Sequence, residues 1–239
     1  MCIRDRSIEH RAEVSPFLLF AVAVHRCVHD LEHTPYVAER FGGHKRIPVF
    51  DTATLRDYYL DPSHRLFAVE HLASYIRVQS GPVWVRRGDR WRRQRFSELE
   101  PQRLAGLLDV VAEEEKPGIY RRLGDLALFL TGIFPDHSAR ALHPIETERL
   151  VRSVAGMGGP PVSLDDIGPA VLSGRRDGLL RLLGPRWYRI AADLTPLPPV
   201  RALLADAAEG FDVARRFLNM LTDRYLFPLR DGWFGSAAS

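Results

Sequence analysis

The feature that most constrains the fold of this chain is an apolar stretch near its middle. Between Ile119 and Phe134, apolar residues fall on almost every side of a helix, with Gly124-Asp125 as the main interruption. A helix that is apolar all round belongs in the interior of a protein. The sequence therefore predicts a central buried helix, around which the rest of the chain must pack.

Other segments repeat apolar residues every three to four positions, which is the spacing of one helical face. These segments begin near Ser15, at Asp61-Pro62, near Leu104, near Leu179 and near Leu204. The last stripe, from Leu204 to Tyr225, predicts the longest helix. We predict an all-α fold, a single-domain helical bundle over residues 13–235, with a loop-rich break at 135–162.

The N-terminus needs a separate interpretation. Residues 1–6 resemble translated sequencing adapter, so we interpret residues 1–12 as an artefactual or flanking segment. The apolar run Phe17–Val24 has the composition of a secretion signal. However, Glu9 and Glu13 crowd that run, and its pattern continues as an amphipathic helix. We therefore predict neither a signal peptide nor a membrane helix.

The charge of this chain is made almost entirely with arginine. Of its 33 basic residues, 31 are arginines, and the net charge is only +3. A high-GC bacterial genome produces this bias through its codons, so the arginine excess alone is weak evidence for nucleic acid. The two cysteines, Cys2 and Cys27, form no metal-binding spacing and no disulfide framework. We predict a cytoplasmic bacterial protein without a cofactor.

One segment has the pattern of a β-hairpin. Val83-Trp84-Val85 and the run from Trp91 to Phe96 flank Gly88-Asp89, so we predict a hairpin at about 83–96. Arginine beside tryptophan is suited to phosphate contact and base stacking. The candidate polyanion-binding residues are Arg86, Arg87, Arg90, Trp91, Arg92 and Arg93. In the alternative interpretation, the tryptophans pack on the core and the arginines only solvate the edge.

The alternation of strand residues assigns faces within this hairpin. Trp91, Arg93 and Arg95 are predicted to share one side, with Arg92 on the other.

Asp125 is the most unusual single residue of the central helix, because an unpaired carboxylate is costly in an apolar interior. Arg121 and Arg122 precede it by four and three positions and can reach it along the helix. The pair Asp223-Arg224 on the last helix supplies a candidate tertiary partner. These residues form either a buried polar site of an enzyme or a structural ion pair. In both cases we predict that Asp125 is at least partly buried and paired with an arginine.

The sequence HDLEH fits the H-x-x-E-H pattern of zinc proteases through His29, Glu32 and His33. His25 lies one turn earlier on the same helical face. The pattern is short, Pro35 places His33 at a helix end, and no further ligand is evident. From the sequence alone we expect no metal at these histidines.

Two segments, Tyr120 to Asp136 and Arg216 to Pro228, carry a resemblance to other proteins. They read YRRLGDLALFLTGIFPD and RFLNMLTDRYLFP. Together they resemble a family of bacterial proteins common in actinobacteria, and the resemblance covers about residues 25–235. No activity is known for that family. The resemblance implies a cytoplasmic bacterial protein, and it implies no reaction, ligand or catalytic residue.

The sequence favours a non-enzymatic cytoplasmic binding or regulatory protein whose partner is an anionic molecule or another protein. One alternative is nucleic-acid or polyanion binding through the arginine- and tryptophan-rich hairpin. The other is an enzyme with a buried polar site around Asp125 and Arg224.

Overall fold

A computed structural model describes residues 15–41, 45–87, 89–135, 144–154 and 176–226 of the chain. Over these residues it contains nine α-helices and two antiparallel β-hairpins. The helices are α1 (Pro16–Leu31), α2 (Thr52–Leu60), α3 (Pro62–Ser74), α4 (Pro101–Ala105), α5 (Lys116–Gly132), α6 (Pro144–Arg152), α7 (Arg176–Leu194), α8 (Pro198–Glu209) and α9 (Phe211–Leu221). The strands are β1 (Val37–Phe41), β2 (Lys45–Val49), β3 (Ser80–Arg87) and β4 (Arg90–Ser97). The predicted all-α class with a short hairpin is confirmed.

Helix α3 begins at the residues that the sequence predicts as its start, Asp61 and Pro62. Asp61 is the N-cap, and its carboxylate accepts a hydrogen bond of 2.7 Å from the backbone N–H of Ser63. Pro62 occupies the first turn, where its missing N–H costs no helical hydrogen bond. Capping of this kind fixes the helix boundary independently of tertiary contacts.

Helix α5 is the buried central helix that the sequence predicts. Ten of its residues are buried, in a run from Leu123 to Leu128 and at four further positions. It packs most extensively against α7, with Gly124 at a point of close approach. A Cβ at Gly124 would lie 2.8 Å from the ring of Tyr188, so only glycine lets this tyrosine lie against the α5 backbone.

The hydrophobic interior is one connected cluster among the described residues, and all nine helices contribute to it. Its largest fully buried side chain is Trp187 on α7, whose indole N–H donates a hydrogen bond of 2.9 Å to the Ser153 hydroxyl. Among the described helices, none is long and apolar enough to cross a membrane.

The prediction of one long last helix is wrong. The apolar stripe from Leu204 onward does face the core, but the helix is broken at Gly210 into α8 and α9. Tyr58 of α2 occupies the break, where a Cβ on Gly210 would lie 2.3 Å from its ring. Periodicity continues across the break, which explains why the stripe alone suggested a single helix.

The hairpin β1–β2 is not among the elements that the sequence predicts. Its strands are rich in charge, and Pro48 lies within β2, a position that argues against a strand. Tertiary pairing accounts for it: Glu39 of β1 forms an ion pair with Arg215, which is buried on α9.

The predicted loop-rich break at 135–162 contains a helix, α6. Leu150 of α6 is fully buried, so this helix belongs to the core cluster. The remainder of the break, residues 136–143 and 155–162, lies outside the described residues, as do residues 1–12.

Candidate nucleic-acid interface

The hairpin β3–β4 extends from Ser80 to Ser97, slightly beyond the predicted 83–96, in an antiparallel register. In this register Trp84 pairs with Arg93, and Arg86 pairs with Trp91. Residues that pair directly, and residues two apart along a strand, share a face. The two tryptophans are therefore on one face and lie diagonally across the two strands. Diagonal neighbours of this kind are about 7–8 Å apart.

The exposure of this face decides between the two interpretations of the hairpin. Trp84 and Trp91 are each 64% exposed. The alternative in which the tryptophans pack on the core is therefore wrong. By contrast, Trp187 is 0% exposed, so this chain does bury a tryptophan where the fold needs one.

The sequence of this hairpin is rich in arginine. The segment from Ser80 to Ser97 contains six arginines and one acidic residue, Asp89. On the tryptophan face, the register places position 86 beside Trp91, and it places the exposed Arg93 and Arg95 along β4. This is the predicted grouping of Trp91, Arg93 and Arg95. We name Trp84, Trp91, Arg93 and Arg95 the Trp/Arg face.

Positions 87, 90 and 92 of the register belong to the other side of the hairpin. The register pairs Arg87 with Arg90 and Val85 with Arg92, so these positions are opposite to the Trp/Arg face. Position 92 is therefore on the side opposite to Trp91, as the alternation of strand residues predicts.

The base of the hairpin packs against the helical core, and its outer part extends into solvent. Phe96 on the opposite face is partly buried against the core cluster. The Glu98 carboxylate accepts a hydrogen bond of 2.9 Å from the Gln79 backbone N–H and pairs with Arg122 at 3.4 Å. The Arg122 guanidinium also lies 4.0 Å from the centre of the Tyr75 ring. Arg122, a candidate for the buried site, therefore serves the hairpin attachment.

Asp125, the anchor of the second candidate site, is 8% exposed, as the sequence predicts. Its Oδ1 accepts a hydrogen bond of 2.8 Å from the Tyr188 hydroxyl. His71 Nδ1 lies 3.9 Å from the same oxygen, and Arg121 Nε lies 3.9 Å from Oδ2. The local arginine partner was predicted. The closer partner, Tyr188, was not.

Electrostatics keep this carboxyl ionised. Burial by itself raises its pKa, but the neighbouring His71, the Tyr188 hydroxyl and the Arg121 guanidinium outweigh burial and hold the pKa of Asp125 below its usual range. Burial and the Asp125 carboxylate together raise the pKa of Tyr188 well above its usual value, so Tyr188 remains a donor. The Asp125 carboxylate therefore has partners within the core, while both ring nitrogens of the buried His71 make no hydrogen bond. Asp125 lines neither of two cavities near the end of α1.

Arg224 and Asp223 lie at a different place from Asp125, which corrects the predicted grouping. Arg224 pairs with Asp30 of α1 at 3.4 Å and donates a hydrogen bond of 3.1 Å to Thr34. Asp223 pairs with Arg46 of β2 at 3.4 Å. The sequence could not show this, because it does not indicate which helix end meets which acid.

These side chains line a cavity of about 680 Å³ between the end of α1, the hairpin β1–β2 and the turn after α9. A neighbouring cavity of about 430 Å³ is lined by His25, His29 and Tyr225, among others. The Tyr225 hydroxyl donates a hydrogen bond of 2.6 Å to Asp30, which lines both cavities. His33, just beyond the end of α1, lines the larger cavity, so it lies near the same two cavities as His25 and His29.

Comparison with known proteins gives no match: no family model, no curated protein and no solved structure is significantly similar to this chain. The functional interpretation therefore depends on the geometry of the described residues.

Proposed function

We propose that this chain is a non-enzymatic binding protein that holds single-stranded nucleic acid on its Trp/Arg face. The observation that supports this most directly is the exposure of Trp84 and Trp91, each 64%, on the same face of one hairpin as Arg93 and Arg95. Two exposed tryptophans contribute little to a hydrophobic core, so their place on an arginine-rich hairpin points to a ligand.

The tryptophans supply stacking surfaces for bases. Stacking of a base on an aromatic side chain contributes about 1–3 kcal/mol and tolerates every base, because each has a π-face. The diagonal arrangement of Trp84 and Trp91 offers two such surfaces side by side. Unpaired bases can reach both, whereas the bases of a duplex are already stacked on one another. The geometry therefore favours a single strand over a duplex.

The arginines supply contacts to the phosphates between those bases. Each phosphate that a cation neutralises releases a bound counterion, so affinity falls as salt rises. Only Asp89 among the residues of the hairpin opposes this positive field. The codon bias explains why arginine is used here instead of lysine, but it does not explain why six arginines and two exposed tryptophans share one hairpin.

The buried site of Asp125 gives no comparable support for an enzyme. Its polar atoms contact one another and an enclosing core, and Arg224 belongs to a separate network with Asp30. A cytoplasmic location and membership of the actinobacterial family are part of the same proposal. They are supported by the cysteine content and by the two segments at 120–136 and 216–228.

The proposal is tested by fluorescence anisotropy with labelled oligo(dT), beside a duplex and phosphatidylglycerol vesicles. We expect oligo(dT) to bind most tightly. Trp84→Ala and Trp91→Ala should each weaken binding by roughly 5–150-fold, the equivalent of about 1–3 kcal/mol for one stacked base. Phe50→Ala is the matched control, because Phe50 is 72% exposed but lies outside the hairpin. It should leave binding unchanged.

Charge reversal separates a specific face from general attraction. Arg93→Glu should weaken oligo(dT) binding more than Arg90→Glu, which makes the same charge change on the opposite side of the hairpin. Arg189→Glu, at an exposed position on α7, should have the smallest effect. Reversal of Arg90, Arg92 and Arg93 together should abolish heparin retention and reduce the salt dependence of binding.

Three results would overturn the proposal. The first is elution of the wild-type protein from heparin at low salt. The second is binding of anionic vesicles without binding of oligo(dT), which would indicate a membrane surface. The third is equal loss of oligo(dT) binding in the Arg93, Arg90 and Arg189 variants, which would indicate attraction by net charge alone.

A further inference from the structure

The C-terminal end of α1 brings together three side chains with metal-binding atoms. One ligand atom each from His29, Glu32 and His33 lies within 4.8 Å of the others. All three residues are exposed, so their side chains can rotate without displacing the core. These three residues form the H-x-x-E-H pattern of the sequence.

His33 lies at the end of a helix, as the sequence predicts: α1 ends at Leu31, and Glu32 is its C-cap. A turn beyond the helix nevertheless holds these residues close together. The Glu32 N–H donates a hydrogen bond of 3.1 Å to the His29 carbonyl. The His33 N–H likewise donates to the Asp30 carbonyl at 3.2 Å. The three side chains therefore remain on one side of the chain.

The distances suit a tetrahedral ion. Zinc bonds of about 2.0–2.1 Å to nitrogen and oxygen place tetrahedral ligands about 3.4 Å apart. His29 Nδ1 and Glu32 Oε2 are 3.4 Å apart already. The two imidazole rings of His29 and His33 have centroids 5.8 Å apart and are nearly perpendicular, so rotation of exposed rings brings the third ligand atom into range.

The electrostatic setting also favours a cation. The last carbonyl groups of a helix carry a partial negative charge, and His29 lies in the last turn of α1. Glu32 adds a full negative charge. His33 lines the larger of the two cavities and His29 the smaller one. Three protein ligands would leave the fourth position of a tetrahedral ion unfilled.

We propose that His29, Glu32 and His33 bind one divalent transition-metal ion, with zinc as the best fit. Two imidazoles and one carboxylate form a ligand set that zinc uses in open, three-ligand sites. Magnesium and calcium prefer sets made of oxygen. The proposal is independent of the Trp/Arg face, which lies on a different hairpin.

The test is calorimetric titration of Zn²⁺ into untagged protein that has been stripped with a chelator. We expect one ion per chain. His29→Ala and His33→Ala should each weaken binding by more than about 10–100-fold, the loss caused by changing even an outer-shell partner of a metal. Glu32→Gln should weaken binding in the same direction, and Mg²⁺ should not compete.

His25→Ala is the matched control. His25 lines the same smaller cavity as His29 but is not one of the three residues whose ligand atoms meet. It should bind zinc as the wild type does, and circular dichroism should show all variants folded. Absence of stoichiometric zinc in the wild type, or equal binding by His29→Ala and wild type, would overturn the proposal. The short His29–Glu32 contact would then be a surface ion pair only.

Discussion

Two tryptophans of the hairpin β3–β4 lie largely in solvent, while one aspartate of α5 lies in the core. Each residue is on the side of the protein where its chemistry is least expected. They differ in what surrounds them. Asp125 has a hydroxyl donor and two nitrogen-bearing side chains around it, so its position is explained within the fold. The exposed Trp84 and Trp91 are better explained by something outside the fold. A buried acid that has partners within the fold indicates structure, whereas an exposed aromatic pair among arginines indicates binding.

The largest effect on stability is expected when a buried tryptophan is replaced by alanine, and the same replacement of an exposed tryptophan is its control. Trp187→Ala removes a fully buried side chain, at a typical cost of about 3–5 kcal/mol in the free energy of unfolding. Trp84→Ala removes a mostly exposed one and should change that free energy by less than about 0.5 kcal/mol. Urea denaturation followed by circular dichroism measures both. A comparable loss in the two variants would show that Trp84 supports the fold and would remove the argument for a ligand.

A slightly smaller loss is expected from Asp125→Ala. Removing one member of a buried charged group typically costs about 3–5 kcal/mol. We expect the lower end, because the His71 and Arg121 contacts are both 3.9 Å long. The melting temperature should fall by on the order of 10 °C, since each kcal/mol shifts it by about 2–4 °C in a chain of this size.

Asp89→Ala is the control for that variant. Asp89 is exposed in the turn of β3–β4, and its loss should leave the melting temperature nearly unchanged. If Asp125→Ala melted at the same temperature as Asp89→Ala, the Asp125 carboxylate would contribute nothing to stability. Its burial could then no longer be explained by its contacts within the fold.

The two regions also differ in how far the sequence could predict them. The burial of Asp125 followed from its apolar neighbours along α5, and its Arg121 contact followed from helical spacing. The bond to Tyr188 spans 63 positions, and nothing local indicates it. A signal existed only in Gly124, whose missing side chain leaves room for the Tyr188 ring.

For the hairpin, alternation predicted which residues share a face, because a strand has a fixed period of two. It could not predict which face the core would cover, since that depends on the packing of Phe96 and Glu98 against α5 and its neighbours. The hairpin β1–β2 was missed for a related reason: its pairing is held by the distant Arg215 and is not visible in its own sequence.

The dependence of stability on pH tests whether the partners of Asp125 lower the pKa of its carboxyl group. The pKa of Asp125 is lowered in the folded state, so its stabilisation is fully present above the unfolded-state pKa of about 3.9 and is lost as pH falls through the folded value. The difference in unfolding free energy between wild type and Asp125→Asn should therefore be largest near neutral pH and shrink below about pH 4. A difference that grew in acid would show that the folded pKa is raised instead, and that burial outweighs the partners of this carboxylate.

The smallest effect is the coupling energy expected between Asp125 and Arg224, which were grouped from the sequence and which lie apart in the structure. In a double-mutant cycle, Asp125→Ala and Arg224→Ala should be additive within about 0.3–0.5 kcal/mol, as is usual for sites that share no partner. The reason is that Arg224 is engaged with Asp30 and Thr34 at the end of α1. Asp125→Ala and Tyr188→Phe, which break the same 2.8 Å hydrogen bond, should instead show a coupling of about 0.5–3 kcal/mol. Both cycles are measured by urea denaturation, so each serves as the control for the other. Strong coupling to Arg224 together with none to Tyr188 would restore the predicted Asp125–Arg224 site and with it the enzyme alternative.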